Sequence, residues 1–231
     1  LANNTTGSNN TANGREALYI NTEGNYNTAN GVRALQNNTA SHNTASGYEA
    51  LKTNTTGIYN TANGVYALYN NTTGNYNTAN GISALKNSTT GSNNTANGVE
   101  ALFDNTIGEY NSANGNWALY ENTAGSQNTA TGYQALQNNT TGNNNTAAGH
   151  QALNANTTGS NNTAIGYGTN VSSGALTNAT AIGNGASVTA SNKVRIGNSS
   201  VTTITGQVAW TSVSDGRIKE NIQEAVPGLS F

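Results

Sequence analysis

The hydrophobic positions of this chain recur at a fixed distance along the whole sequence. An Asn-Thr-Ala triplet, or its Ser variant, begins at Asn10 and returns every 17 residues as far as Asn162, except for one 16-residue step from Asn27 to Asn43. A glycine lies two residues beyond each triplet, and an Ala-Leu pair follows most of those glycines. Repeats of about this length are typical of solenoids, in which each repeat is one structural unit stacked on the next.

The repeat predicts an all-β fold, a parallel β-solenoid (β-roll) of about ten 17-residue coils. Seventeen residues with repeated Asn-Gly and Thr-Gly pairs are too short and too rich in glycine for a pair of helices. We expect two short strands in each coil, one around 27–32 and one around 33–37, joined by turns at the glycines.

Alternation along the first strand assigns its two faces. Ala29 and Gly31 share one face with Asn27, while Thr28, Asn30 and Val32 share the other, and Leu35 is the large apolar residue that each coil contributes. Stacked coils place every Asn over the next Asn, so we expect ladders of side-chain hydrogen bonds to hold the turns.

The residue two before each leucine is expected to point to solvent, because this position holds Arg33, Glu49, Tyr66, Glu100 or Trp117 in different coils. A packed interior would not accept side chains of such different charge and size. The remaining Leu and Ala core is narrow, which predicts several chains packed side by side, and we favour a homotrimer.

Composition and charge exclude several classes of function. Asn, Thr and Gly make up 107 of the 231 residues, charged residues only 8%, and the formal net charge is −2. So few basic residues cannot form a positively charged surface for the phosphates of a nucleic acid, which argues against nucleic acid as a partner. No apolar run reaches the roughly 20 residues of a membrane-spanning helix.

Cofactor and metal sites are not expected from the sequence. The glycines do not form a phosphate-binding loop, so we interpret them as turns. The two histidines, His42 and His150, lie many coils apart without cysteines or clustered carboxylates, so neither zinc nor calcium is predicted. Leu1 aligns with Leu18, so we expect the natural N terminus, with any export signal, to lie upstream.

The pattern changes near the C-terminal end. Ala-Ile-Gly replaces Ala-Asn-Gly at 164–166 and 181–183, and Arg-Ile-Gly follows at 195–197. We expect these isoleucines to thicken the core. The pattern resembles the head repeats of trimeric autotransporter adhesins, which implies a three-chain parallel β-roll. The earlier 17-residue repeats look like a polar, longer relative of that family's 14-residue unit.

A second resemblance begins at Ser214. Val201 to Trp210 is rich in β-forming residues, and the segment Ser-Asp-Gly-Arg-Ile-Lys-Glu-Asn-Ile follows at 214–222. It resembles the opening of the intramolecular chaperone (peptidase S74) domain of phage tail fibres and endosialidases. That resemblance implies trimerisation and self-cleavage, with Ser214 as nucleophile and Lys219 as its activating base. Without it, Ser214 would be interpreted as an N-cap of a short helix.

These observations predict four regions and a function. The regions are 1–168, the 17-residue repeats; 169–197, the adhesin-like coils; 198–213, a β-rich neck; and 214–231, the truncated start of the chaperone domain. The function expected is a structural and adhesive extracellular fibre on a bacterial surface or a phage particle. Its partner would be a cell-surface glycan or host receptor, and it would be no enzyme toward external substrates.

Two other functions stay open at this stage. The recurring threonines could form an ice- or surface-binding array if Thr-x-Thr pairs faced outward on one flat side, and a carbohydrate-binding tail spike is the other alternative. Tyrosines recur at two repeat positions, at Tyr26, Tyr59, Tyr76 and Tyr110, and at Tyr19, Tyr69 and Tyr120. They either stack on sugar rings or cover the thin core and the seam between chains.

Overall fold

The computed structural model describes residues 2–205. That range contains only short strands and turns, without a helix. The strands are β1 (Thr11–Asn13), β2 (Thr28–Asn30), β3 (Thr44–Ser46), β4 (Thr61–Asn63), β5 (Thr78–Asn80), β6 (Thr95–Asn97), β7 (Ser112–Asn114), β8 (Thr129–Thr131), β9 (Thr146–Ala148), β10 (Thr163–Ile165), β11 (Asn170–Val171), β12 (Thr180–Ile182), β13 (Ser187–Val188) and β14 (Val194–Ile196).

The strands form a parallel solenoid. One 12-stranded sheet runs in the order β1 to β10, then β12 and β14, and a 2-stranded sheet pairs β11 with β13. Equivalent residues of neighbouring coils face each other, as Ala62 faces Ala79 and Asn63 faces Asn80. The predicted fold class, an all-β parallel β-solenoid, is confirmed.

The chain divides into two units, Leu1–Asn198 and Ser199–Phe231. The first unit is the solenoid. Of the second unit the structure describes only residues 199–205, which contain neither strand nor helix. The proposed chaperone segment at 214–231 therefore lies outside the described residues.

The 16-residue coil absorbs its missing residue in one loop. In the preceding coil the Asn21 Nδ2 donates to the Gly24 carbonyl oxygen three residues ahead, whereas the Asn38 Nδ2 donates to the Ala40 carbonyl oxygen only two ahead, at 2.7 Å. Ala29 still pairs with Ala45, so the sheet keeps its register. The deletion is tolerated because this loop lies outside the strand pairing of the sheet.

The core is a column of leucine and alanine. Leu68 of one coil and its equivalents in the others are fully buried, as are the Ala before each leucine and the central Ala of each strand from β2 to β10. Thr28 and Asn30 are exposed on the other side of their strand. The predicted separation of the two strand faces and the inward leucine are confirmed, and the face with Ala29 is the inner one.

The predicted second strand is wrong for the 17-residue coils. Residues 32–37 form a turn in which Arg33 and Leu35 have φ values of 58° and 50°. Two left-handed residues separated by one residue fold the chain too tightly for a strand. The backbone still bonds between coils, because the Leu35 amide donates to the Ala50 carbonyl oxygen at 3.0 Å.

The core does not thicken where isoleucine replaces asparagine. Ile165 and Ile182 occupy the outward position of their strands and are 45% and 36% exposed. The prediction of a wider core was wrong because alternation places this strand position outside, whichever residue occupies it.

Buried asparagines join the coils from inside. Asn77 shows one pattern, in which its side-chain oxygen accepts from the Asn94 amide at 3.0 Å and its Nδ2 donates to the Gly91 carbonyl oxygen at 2.8 Å. Asn139 shows the second, donating to the Asn122 side-chain oxygen at 2.8 Å and to the Gly142 carbonyl oxygen at 3.0 Å. The predicted Asn ladders are confirmed.

One ladder is interrupted at Ser88. This serine takes the place of the second type of buried asparagine and is itself fully buried. Both the Ser88 hydroxyl and the Asn71 Oδ1 of the preceding coil lack a hydrogen-bond partner. A buried polar atom without a partner carries its full desolvation cost, so this coil is a weak point in the stack.

We expect Ser88→Asn to stabilise the protein. The new side chain would donate to Asn71 Oδ1 and to the Gly91 carbonyl oxygen, and would accept from Asn105, as other coils do. Satisfying such atoms is worth about 1–3 kcal/mol. Thermal unfolding followed by circular dichroism should show a higher melting temperature. Asn122→Ser, which opens the same gap in an intact coil, should lower it, and an unchanged Ser88→Asn variant would contradict the interpretation.

Candidate functional site: the variable wall

A chemically diverse set of side chains lies on one surface of the solenoid, which we call the variable wall. It consists of two rows, the residue two before each leucine and the residue directly after it. The first row is Glu16, Arg33, Glu49, Tyr66, Ser83, Glu100, Trp117, Gln134 and Gln151, and the second is Tyr19, Gln36, Lys52, Tyr69, Lys86, Phe103, Tyr120, Gln137 and Asn154. Stacking brings residues from neighbouring coils into contact along the wall.

The prediction of solvated side chains in the first row was wrong. Glu49 is only 5% exposed and Ser83 only 6%, while Arg33, Tyr66 and Trp117 are half-buried. Arg33, Tyr66 and Trp117 each contact a side chain of a neighbouring coil, at Glu16 and Glu49, at Lys86, and at Glu100 respectively. Variable composition at this position therefore reflects specific contacts between coils.

At the N-terminal end of the wall, the charged residues neutralise one another. Arg33 bonds Glu16 at 2.8 Å and Glu49 at 3.0 Å, and Lys52 bonds Glu49 at 3.1 Å. The hydrogen bond from Arg33 holds the pKa of Glu16 below its usual value. Burial alone would raise the pKa of Glu49, but the hydrogen bonds from Arg33 and Lys52 outweigh it and lower the pKa.

The middle of the wall alternates aromatic rings and lysines. The Lys86 Nζ lies 5.3 Å from the centre of the Tyr66 ring and 5.4 Å from that of Phe103, within the range of a cation–π contact. The Phe103 and Tyr120 rings stack at 5.1 Å. All three contacts join residues of neighbouring coils.

At coils six to eight the wall opens into a pocket lined by Glu100, Trp117, Tyr120 and Gln137. The Trp117 Nε1 donates to the Glu100 Oε2 at 2.8 Å, which fixes the indole ring beside the carboxylate. Burial raises the pKa of the Tyr120 phenol, and the negative charges of Glu100, Asp104 and Glu121 raise it further. The pocket therefore combines two aromatic faces with an acidic environment.

A separate exposed surface carries stacked aromatic rings. Tyr26, His42, Tyr59 and Tyr76 stack in consecutive coils, with ring centres 5.0, 4.7 and 5.1 Å apart. The exposed fractions of Tyr26, Tyr59 and Tyr76 range from 46% to 58%. These tyrosines therefore do not cover the core of their own chain, and stacking on sugar rings and covering a seam between chains both stay predictions.

The histidines stand in aromatic stacks. His150 lies between Tyr133 and Tyr167, at 5.1 and 5.0 Å, as His42 lies between two tyrosines. Across residues 2–205 no group of three or more His, Cys, Asp or Glu side chains could hold a metal ion. The same range contains no helix that is long and apolar enough to cross a membrane.

The outer face of the large sheet presents rows of threonine and asparagine. Asn63, Asn80, Asn97 and Asn114 bond one another side chain to side chain at 2.7–2.9 Å. Outward Thr-x-Thr pairs, which an ice-binding array needs, are found in β8 alone among the described three-residue strands. In most other coils an asparagine occupies the outward position where the second threonine would be needed. This face therefore does not match the requirement of an ice-binding array.

The same face changes character at its C-terminal end. The Asn row is replaced by Ile165, Ile182 and Ile196, which lie in register on β10, β12 and β14. All three are exposed, by 36% to 45%. We call this set the isoleucine row. These three residues form the apolar part of an otherwise polar sheet face.

The residues predicted for self-cleavage, Ser214 and Lys219, lie outside the described residues, so their roles stay predictions.

Sequence reasoning missed the pocket on the variable wall. The signal was present, because Glu100 and Trp117 are 17 residues apart, as are Phe103 and Tyr120, and Tyr120 and Gln137. Residues one period apart stack directly in a solenoid.

The geometry defines the chain as a parallel β-solenoid repeat protein. Its stability comes from a thin Leu and Ala column and from asparagine ladders, and the two rows of the variable wall carry its ion pairs and its pocket. The chain matches no protein-family model and no curated protein.

Proposed function

We propose that this protein is the shaft of an extracellular adhesive fibre, assembled as a homotrimer on a bacterial surface or a phage particle. The isoleucine row carries the proposal. An otherwise polar sheet face presents three in-register isoleucines that are 36% to 45% exposed. Burying that remaining surface between chains would contribute less than half of the roughly 1.5–3 kcal/mol of a fully exposed side chain, for each of the three. The resemblance to trimeric adhesin heads favours three chains.

The repeat architecture supports the fibre role. Each coil contacts its neighbours only, so the shaft gains length by adding coils without any change to its cross-section. The variable wall and the tyrosine stacks provide surfaces on which a cell-surface glycan or host receptor could be bound. A C-terminal chaperone segment would align the three chains at the start of assembly, since identical coils pair out of register at little cost.

The experiment that tests the proposal measures assembly and cleavage of the complete gene product. Native mass spectrometry should give three times the chain mass, and Ile182→Asn, which restores the residue of the other repeats, should weaken the trimer. Denaturing gels should show two bands, and Ser214→Ala and Lys219→Ala should each leave one uncut band, because they remove the nucleophile and its base.

Matched controls separate the two parts of the proposal. Ile82→Asn changes an isoleucine that is 53% exposed away from the row, and should leave the trimer intact. Ser212→Ala changes a nearby serine and should leave cleavage intact. A stable monomer would contradict the fibre assembly, whereas normal cleavage in Ser214→Ala would contradict the assignment of the nucleophile alone.

A further inference from the structure

The pocket on the variable wall has the size and shape of a site for a small group. It holds about 250 Å³, and Glu100, Trp117, Tyr120 and Gln137 from three consecutive coils line it. Sites for drug-sized molecules run to roughly 300–1,000 Å³. This pocket is smaller and open, so it suits a single headgroup or one sugar ring.

Its aromatic side chains are held in place before any ligand arrives. The Trp117 indole is fixed by its hydrogen bond to the Glu100 Oε2 at 2.8 Å and lies beside Tyr133, with ring centres 5.5 Å apart. Tyr120 is supported from the preceding coil by Phe103 at 5.1 Å. A preorganised aromatic surface loses little side-chain entropy on binding.

The carboxylates around the pocket are not paired with a cation in the described part of the chain. Glu100, Asp104 and Glu121 form no ion pair within residues 2–205, in contrast to Glu16 and Glu49 at the other end of the wall. The Glu100 Oε2 accepts from Trp117, and the Oε1 of the same carboxylate accepts no hydrogen bond from the described residues. One oxygen at the pocket is therefore available to a ligand that donates or carries positive charge.

This combination selects a cation over a neutral group. Tryptophan and tyrosine faces attract ammonium groups, and aromatic sites with such faces recognise quaternary ammonium ligands. The nearby carboxylates attract a positive charge, whereas from a neutral sugar they can only accept hydrogen bonds from its hydroxyl groups.

We propose that the pocket binds an organic ammonium group, with its carbon framework on Trp117 and Tyr120 and its charge toward Glu100. The group would belong to a choline headgroup or to a protonated amino sugar, both of which occur as components of larger surface molecules. The inference rests on the proposed adhesive function, because it names the chemistry of the surface component that the fibre would contact.

Fluorescence of Trp117 tests the inference in the folded chain, whatever its oligomeric state. The chain has two tryptophans, so Trp210→Phe leaves Trp117 as the only reporter. Choline chloride and glucosamine, at a pH that keeps the amine protonated, should change its emission in a saturable way. Glucose and N-acetylglucosamine should not. Response to choline alone identifies a headgroup, and response to glucosamine alone identifies an amino sugar.

The charge contribution is isolated by Glu100→Gln. The amide keeps an oxygen that accepts from the Trp117 indole, so the ring stays in place while the negative charge is lost, and we expect binding at least tenfold weaker. Glu109→Gln changes an exposed carboxylate outside the pocket and should bind as before. Added salt should also weaken binding.

Three outcomes would overturn the inference. The first is equal binding of the neutral and the ammonium sugars, the second is no binding of either ammonium ligand, and the third is unchanged affinity in Glu100→Gln. All three are independent of the trimer measurement, because a trimer without ammonium binding, or a monomer with it, separates this inference from the proposed function.

Discussion

Leu68→Asp should unfold several coils of the solenoid. Leu68 is fully buried in the leucine column, and a carboxylate there would have no partner. Removing a buried leucine side chain alone costs about 2–5 kcal/mol, and an unpaired buried charge adds several more. Circular dichroism should show a large loss of β signal, or a greatly lowered melting temperature.

The backbone conformation at Leu68 would not by itself destabilise the aspartate variant, so the experiment tests the effect of burial. Leu68 has a φ of 50°, a left-handed conformation that aspartate adopts more readily than leucine does. Val65→Asp, three residues earlier in the same coil, places the same charge at a side chain that is 38% exposed and should change the melting temperature little. Equal losses in the two variants would show that the leucine column is not the core.

Gly81→Ala should also be strongly destabilising, for a different reason. Gly81 has a φ of 143°, and an added Cβ would press on the carbonyl group of Gly98, with the carbonyl carbon only 2.7 Å away. The Gly98 backbone cannot move aside, because its amide donates to the Asn80 carbonyl oxygen at 2.9 Å. Such a conformation costs of order 1–3 kcal/mol before the clash is counted. Urea unfolding should show a lower midpoint.

Gly168→Ala is the matched control for the backbone effect. Gly168 has a φ of 60°, and nothing lies within 4 Å of an added Cβ. An alanine in the left-handed region costs roughly 1–2 kcal/mol, with no clash to add. A loss in Gly168→Ala as large as that in Gly81→Ala would contradict the idea that close stacking of coils requires the glycine.

The stacking of the coils could be predicted because it depends on what repeats. A period of 17 places Leu over Leu and Asn over Asn, and alternation around Ala29 assigns the faces without further information. Ser88 could be recognised as an exception in the same way. Its lost hydrogen bonds could be assigned only once the structure had shown that Asn71 and Asn105 are its neighbours.

The turn at 32–37 could not be predicted because its signal is weak. Left-handed φ values usually occur at glycine or asparagine, whereas here Arg33 and Leu35 adopt them. The stack imposes this conformation, since inter-coil hydrogen bonds and burial of the leucine outweigh the local preference. The pocket was missed for a related reason, as its parts are spread over three repeats and look unrelated in the linear sequence.

The inter-coil bonds give the solenoid a mechanical property. The chain runs around the solenoid axis, and the hydrogen bonds between coils lie along it. A force applied to the two ends along this axis therefore acts on those hydrogen bonds. A coil contributes about 4.8 Å of height while stacked. Once detached, its 17 residues extend to about 56–61 Å. Each coil that peels away therefore lengthens the tether by about 50 Å, so a load is relieved in steps while the remaining coils stay folded.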